Sequence, residues 1–321
     1  QHLKFQVTNK IRYDNAVLAI FDDNGDIAWS WHIWVTDYDP YAADGTQPVE
    51  NRTLPHTRTT FMTQNLGSCP GKRYAARTQH LRLTEPITGT TVVVAFEQRA
   101  GSQPGNHTFY QWGRKDPFPG GLPNNVNKPT FGPAEYIWPS NDPTAGTQKL
   151  STYNYSENIK NPHKYNALQR TYLNLWDANN TTRVVNTTFV VKTVYDPCPA
   201  GFCVPYSGAF TGFTSTGANS TDVSQFNVDG AFDLGWTFNC RLPDGPYLEG
   251  TIFFPAWGRR SSDELGKVGT DSGVWTTGLG DILGNGRLLH FYYDSSSSLA
   301  LNPVAYYGCT NCYGVRPAIA E

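Results

Sequence analysis

Leu248-Glu249-Gly250-Thr251-Ile252-Phe253-Phe254-Pro255, Gly273-Val274-Trp275-Thr276-Thr277, Arg287-Leu288-Leu289-His290-Phe291-Tyr292-Tyr293 and Tyr313-Gly314-Val315-Arg316-Pro317 decide how this chain reads. Each is a short β-prone run. The segments between them are rich in Gly, Ser, Asn and Asp, which break strands for identifiable backbone reasons. Short strands joined by long polar loops describe a scaffold that presents loops, where binding residues concentrate.

Upstream, Ala16-Val17-Leu18-Ala19-Ile20-Phe21 is a nearly continuous apolar run, as in a strand buried on both faces. Asn24-Gly25 follows, a strong hairpin signal because both residues tolerate positive φ. The surrounding Asp22–Asp26 turn carries acidic side chains, but the closing glutamate of an EF-type calcium loop is missing, so it reads as a plain hairpin. On the return strand, Trp29, Trp31, Ile33 and Val35 share one face and Ala28, Ser30, His32 and Trp34 the other. His32 reads as a hydrogen-bonded, partly buried histidine, since no acid or nucleophile stands at a motif spacing from it.

Leu81–Leu83 and Thr91–Phe96 are further strands. Arg114-Lys115-Asp116, followed by Pro117 and Pro119, predicts a rigid buried corner with an ion pair. Residues 120–160 read as long ordered loops. Asn166–Trp176 reads as a helix, with Leu168, Tyr172 and Leu175 near helical spacing. Ser207–Phe213 is a second, shorter helical stretch weakened by Gly208 and Gly212. Residues 1–12 read as a leading strand or a tether to an upstream domain, and residues 13–321 as a single domain with long insertions.

Aromatic residues make up 14% of the 321 positions and charged residues 16%, the latter well below the roughly 25% of an average protein. That balance suits an extracellular β-rich protein. A net charge of −2 supplies no basic footprint for nucleic acid or an anionic membrane. No run approaches the roughly 18 apolar residues of a membrane-spanning helix. The six cysteines, Cys69, Cys198, Cys203, Cys240, Cys309 and Cys312, are even in number and compatible with three disulfides of undetermined connectivity, with a mixture of disulfides and free thiols as the default. Zinc is the weaker reading, because the Cys198–Cys203 spacing is wider than a zinc knuckle. Cys309–Cys312 leads into a strand, unlike a thioredoxin-type motif. Asn51, Asn106, Asn154, Asn179, Asn180, Asn186 and Asn219 begin Asn-x-Ser/Thr triplets, which fit exposed loops of a secreted protein.

Chemistry leaves no motif: there is no Gly-x-Ser-x-Gly, no His-Glu-x-x-His, no phosphate loop and no dinucleotide fingerprint. Asp229, Asp233, Asp263 and Glu264 are the carboxylates available for paired acid–base work, and they read as loop caps and surface charges. The expectation is a protein without enzymatic activity or cofactor.

Several segments together resemble FISUMP-type (Fibrobacter succinogenes major paralogous) domains of surface proteins in Bacteroidetes and related bacteria. The segments are Asp26–Thr36, Phe61–Gly67, Phe109–Phe118, Thr193–Gly201, Phe253–Gly258 and Tyr313–Pro317, in the family's order across nearly the whole chain. The resemblance implies an α+β, C-type-lectin-like fold with small antiparallel sheets, few short helices and long ordered loops, related to the branch of the formylglycine-generating enzyme. It also implies export to the outer-membrane surface, often at the end of a fimbrillin-like or lipoprotein chain. The chain departs from the family in lacking the Glu-Pro-Asn, Gln-Pro-Asp and Trp-Asn-Asp motifs of calcium-dependent sugar lectins, and the oxidase's catalytic cysteine motif. Many members carry a cysteine just after the closing arginine, where this chain has Pro317; Cys203 is then the nearest candidate partner for Cys198.

If Leu289 and Phe291 face the core, period-two alternation exposes His290 and Tyr292, and the loop Leu279–Gly286 sets Asp281 and Asn285 beside them. Aromatic faces next to amide and carboxylate groups suit sugar or peptide contact. The expected ligand-binding residues are therefore Asp281, Asn285, His290 and Tyr292. The expected role is a non-catalytic adhesin or pilus-tip module recognising a glycan or protein on a host or neighbouring cell. A structural subunit or cap of a surface polymer, held by a pilus subunit or upstream domain, is the alternative, and a carbohydrate-active enzyme stands third. The Ala16–Val35 hairpin is expected to pair with the closing strand Tyr313–Ala318.

Overall fold

Strand-forming residues late in the chain build one antiparallel sheet in the order Asp271–Leu279, Asn285–Tyr293, Leu299–Gly308. The computed structural model describes residues 4–6, 14–52, 58–69, 72–74, 77–98, 101–103, 107–119, 155–166, 172–184, 188–229, 235–245, 248–261, 264–280, 282–293 and 299–320. Both faces of this central sheet are covered. Val274, Leu289, Phe291 and Leu301 pack into one cluster with Phe210, Phe213, Trp236, Phe238 and Phe254. Trp275, Leu288 and Ala305 enter a second with Tyr110, Trp112, Trp176 and Tyr313. Each fully buried Phe or Leu contributes roughly 1.5–3 kcal/mol, so these two aromatic clusters hold the architecture. Gly273 permits a close approach: a Cβ there would lie 2.3 Å from the Tyr313 ring.

The remaining strands are short and mostly antiparallel. A four-stranded sheet runs Phe202–Cys203, Ala318–Ile319, Arg58–Met62, Thr46–Glu50, and a five-stranded one runs Phe118–Pro119, Thr108–Gln111, Asn311–Tyr313, Arg259–Ser261, Glu264–Gly266. Among the described residues one α-helix occurs, Tyr155–Lys160, with short 3-10 turns at Thr211–Phe213 and Val223–Gln225. The fold is β-rich, built mainly of small antiparallel sheets.

The helix expected over Asn166–Trp176 is not formed where it is described: Tyr172–Trp176 is irregular, and residues 167–171 lie outside the described residues. Leu175 and Trp176 reach the core from this irregular segment. Only the end of Ser207–Phe213 is helical, as a 3-10 turn. Residues 120–154 of the expected loop region also lie outside the described residues.

The Asn24-Gly25 hairpin forms, with Asp14–Phe21 paired antiparallel to Ile27–Val35 and Gly25 at φ 81°. Asp22 Oδ1 accepts from the Asn24 and Asp26 amides at 3.0 and 2.9 Å, so this acidic side chain closes the turn. The hairpin does not join the closing strand. It makes a two-stranded sheet of its own, while Ala318–Ile319 pairs with Arg58–Met62 and Phe202–Cys203. Side chains, not a strand ladder, fasten it. The Asn15 carbonyl oxygen can only accept, so His32 Nε2–H donates to it at 2.8 Å and Nδ1 accepts from the Tyr110 hydroxyl at 2.8 Å. Trp34 Nε1 donates to Ser68 O at 2.8 Å. The buried corner also forms. Lys115 Nζ donates to Asp116 Oδ2 at 2.7 Å and to Ser30 O at 2.9 Å, and lies 4.6 Å from the Trp29 ring centroid.

Burial holds His32 and His107 neutral, each pKa pushed down from 6.5 to about 3. The unfolded chain takes up those two protons below pH 6.5 and the fold does not, so stability is lost as pH falls through the window from 6.5 to 3. Denaturant unfolding between pH 7 and 5 should show stability falling by up to about 1.4 kcal/mol per pH unit for each histidine. His107→Phe, which preserves an aromatic face against Trp257, should remove about half of that slope. A flat profile would contradict the assignment.

Candidate functional site

The central sheet carries a polar group on the face it shares with Tyr313. Antiparallel register sets Asp271 opposite Tyr292 and Gly273 opposite His290. Across the other ladder, His290 opposes Asn302 and Gly286 opposes Tyr307. Because side chains on a strand alternate, His290, Tyr292, Asp271 and Tyr307 all project to this one side. His290 Nε2 meets Asp271 Oδ1 at 3.2 Å, and its Nδ1 lies 3.5 Å from the Tyr307 hydroxyl. Tyr307, Tyr292 and Tyr313 ring the imidazole at centroid distances of 4.8, 5.5 and 6.4 Å.

His290 is 2% exposed, against the expectation of an outward-facing residue. The alternation was read correctly, with Leu289 and Phe291 in one core, but the opposite face is capped by Tyr313 and its neighbours instead of water. Both ring nitrogens face protein groups, so the imidazole orients its surroundings and has no nitrogen turned to a ligand. Tyr292 is half-buried at the rim. Asn285 is also half-buried but sits five residues along the same strand, about 16 Å away at roughly 3.3 Å per residue. The structure therefore does not bring it to His290 and Tyr292. Asp281 lies outside the described residues.

Four residues of the group escape sequence reasoning: Asp271, Tyr307, Tyr313 and Arg259. Arg259-Arg260 is a strand dipeptide whose alternation sends one guanidinium each way. Arg260 is fully buried over the Phe118 ring, whereas Arg259 stays half-buried beside Tyr313, Asp271 and Tyr307. Burial, then the Asp271 charge, pushes the Tyr313 and Tyr307 pKa values up, so both hydroxyls keep their protons at neutral pH. The Tyr313 hydroxyl is fully buried with Arg259 beside it, yet no group meets it in hydrogen-bond geometry.

The other expected chemistries fall elsewhere. All six cysteines are buried thiols and the expected disulfides are not formed. Cys240, Cys309 and Cys312 belong to three different apolar clusters, which separates them even across the short Cys309–Cys312 interval. Cys198 and Cys203 flank a loop closed on Asp196, whose carboxylate accepts from the Cys198 and Val204 amides at 2.8 Å each. Burial pushes the Cys198 thiol far up and Cys240 to about 11, which keeps both protonated. Asp229 is exposed, while Asp233, Asp263 and the side chain of Glu264 lie outside the described residues. Of the Asn-x-Ser/Thr positions, Asn51 and Asn180 are buried and bonded internally, whereas Asn179 and Asn219 are exposed. Among the described residues no group of three or more His, Cys, Asp or Glu is arranged to hold a metal, and no helix is long and apolar enough to cross a membrane.

No family model, curated protein or solved structure matches the chain.

Two substitutions separate the buried pair from the unpartnered hydroxyl. Asp271→Ala leaves the His290 Nε2–H buried without its acceptor and should cost about 1–3 kcal/mol in urea unfolding. Tyr313→Phe removes a buried hydroxyl that no partner meets in good hydrogen-bond geometry and should leave stability unchanged or raise it by about 1 kcal/mol. Equal losses in the two variants would show that the Tyr313 hydroxyl is bonded in the fold.

Proposed function

We propose that this chain is a non-catalytic binding module of C-type-lectin-like type, carried on the outside of a bacterial cell as an adhesin or pilus-tip domain. Its ligand is a glycan, taken at the patch formed by Tyr292, Tyr307 and Arg259 over the buried His290–Asp271 pair. The observation that carries the reading is the Tyr313 hydroxyl, buried beside Arg259 and Tyr307 with no partner in good hydrogen-bond geometry. A buried polar group without a partner costs stability unless something supplies one. Two half-buried tyrosines beside a half-buried arginine offer the apolar faces and directional donors that sugar rings use. His290 has both nitrogens directed at protein groups, which supports binding over acid–base chemistry.

A second reading, a structural subunit or cap of a surface polymer, is favoured by one feature. The hairpin Arg77–Thr84 with Thr91–Gln98 is a two-stranded sheet with no further strand beside it among the described residues. Leu81, Leu83, Val92 and Phe96 on it are 46–56% exposed. Two strands alone are marginal in water, so this hairpin suits contact with a neighbouring subunit.

A glycan array separates the readings. The module reading expects selective binding that falls about tenfold or more in Tyr292→Ala/Tyr307→Ala. Binding unchanged in that double variant would place the ligand elsewhere, and binding only to subunits of the same surface polymer would favour the structural reading.

A further inference from the structure

The proposed binding patch contains a cation without an ion pair. Arg259 is half-buried, its neighbour Arg260 is turned to the opposite side, and no carboxylate comes within salt-bridge distance of the Arg259 guanidinium among the described residues. The nearby acid, Asp271, is directed at His290 Nε2. Beside Arg259 sits the Tyr313 hydroxyl, protonated and fully buried, with Arg259 its nearest donor but outside good hydrogen-bond geometry. Tyr307 stands next to both, half-buried and also protonated at neutral pH.

These groups ask for one kind of ligand atom. A guanidinium presents parallel N–H donors matched to the two oxygens of a carboxylate, and a protonated tyrosine hydroxyl adds a further donor. A neutral sugar hydroxyl could accept from either, but it would add no charge at a half-buried cation whose one nearby acid, Asp271, is shared with His290. We propose that Arg259, Tyr313 and Tyr307 form a carboxylate-binding subsite, so that the glycan carries an acidic sugar of the uronic or sialic class. For the Tyr313 hydroxyl to reach the same carboxylate, the Arg259 side chain has to swing aside, which no ion pair opposes among the described residues. This assignment rests on the binding-module reading and narrows its ligand.

The test uses the full chain with tetragalacturonate and 3′-sialyllactose, each beside the same oligosaccharide with its carboxyl groups reduced to alcohols. At least one acidic form should bind, with its reduced partner weaker by about tenfold or more. The ligand that binds identifies the uronic or the sialic arm. Arg259→Gln should lower affinity for the acidic form about tenfold to a hundredfold, and Arg259→Lys less, because it keeps the charge and loses the fork. Tyr313→Phe should weaken binding severalfold while the melting temperature holds or rises, a pairing that a purely structural tyrosine would not give. Equal affinity for acidic and reduced forms, unaffected by Arg259→Gln, overturns the carboxylate subsite and leaves the binding module standing. Binding of neither form overturns both.

Discussion

A cation with no acid beside it sits at the centre of this fold. Arg316 is almost fully buried, and its guanidinium donates to Asn65 Oδ1 at 2.5 Å, Met62 O at 3.0 Å and Phe253 O at 2.9 Å, while resting 4.1 Å from the Phe254 ring centroid. Desolvation pushes its pKa down to about 9, so it remains charged at neutral pH against the cost of leaving water. Removing a charge from water is expensive and is compensated only by well-placed partners. Here the partners are neutral oxygens and an aromatic face. They belong to segments far apart in sequence, the end of Arg58–Met62, the turn after it and the strand Thr251–Pro255. One side chain therefore ties the closing segment to the early sheet and to the edge of the large aromatic core.

That tie has consequences for the site. With Arg316 anchored, the residues just before it are fixed as well. Gly314 exchanges both backbone hydrogen bonds with the strand Asp271–Leu279, through Trp275 N at 2.9 Å and Gly273 O at 3.0 Å. Tyr313 is thereby laid over Gly273, and the second face of the central sheet is closed to solvent. His290 becomes an interior residue paired with Asp271, and what stays accessible is the rim of Tyr292, Tyr307 and Arg259. The candidate surface is a product of the packing that hides the histidine beneath it.

Turn and corner signals in the sequence carry through to local structure, whereas the helical spacing within Asn166–Trp176 does not. Asn24-Gly25 marks its hairpin because positive φ is a property of the residue itself, and Arg114-Lys115-Asp116 marks a buried corner because the two prolines just after it stiffen the chain. Leu289 and Phe291 revealed their common face through alternation. Partners set by tertiary placement were not legible. Period-two alternation says which residues share a face but not whether a second layer covers the other one, and so His290 was assigned to the surface. Leu299–Gly308 escaped because it follows a serine run and contains Pro303. The structure accommodates that proline on an edge strand at a register shift, where no ladder amide is required. Arg259 and Tyr313 are more than 50 positions apart, and no spacing rule joins them. The even cysteine count is compatible with cross-links, whereas all six cysteines are buried thiols, with Cys240, Cys309 and Cys312 in three different apolar clusters.

The role given to Arg316 is most directly tested by the unfolding free energy of Arg316→Met, which keeps much of the volume and removes every donor. Asn65 Oδ1 and two buried carbonyl oxygens would then lose a partner together, and the expected loss is about 3–5 kcal/mol in urea unfolding. Stability equal to that of the parent protein, or above it, would contradict the account: it would mean that the buried cation is tolerated by the fold and does not organise it.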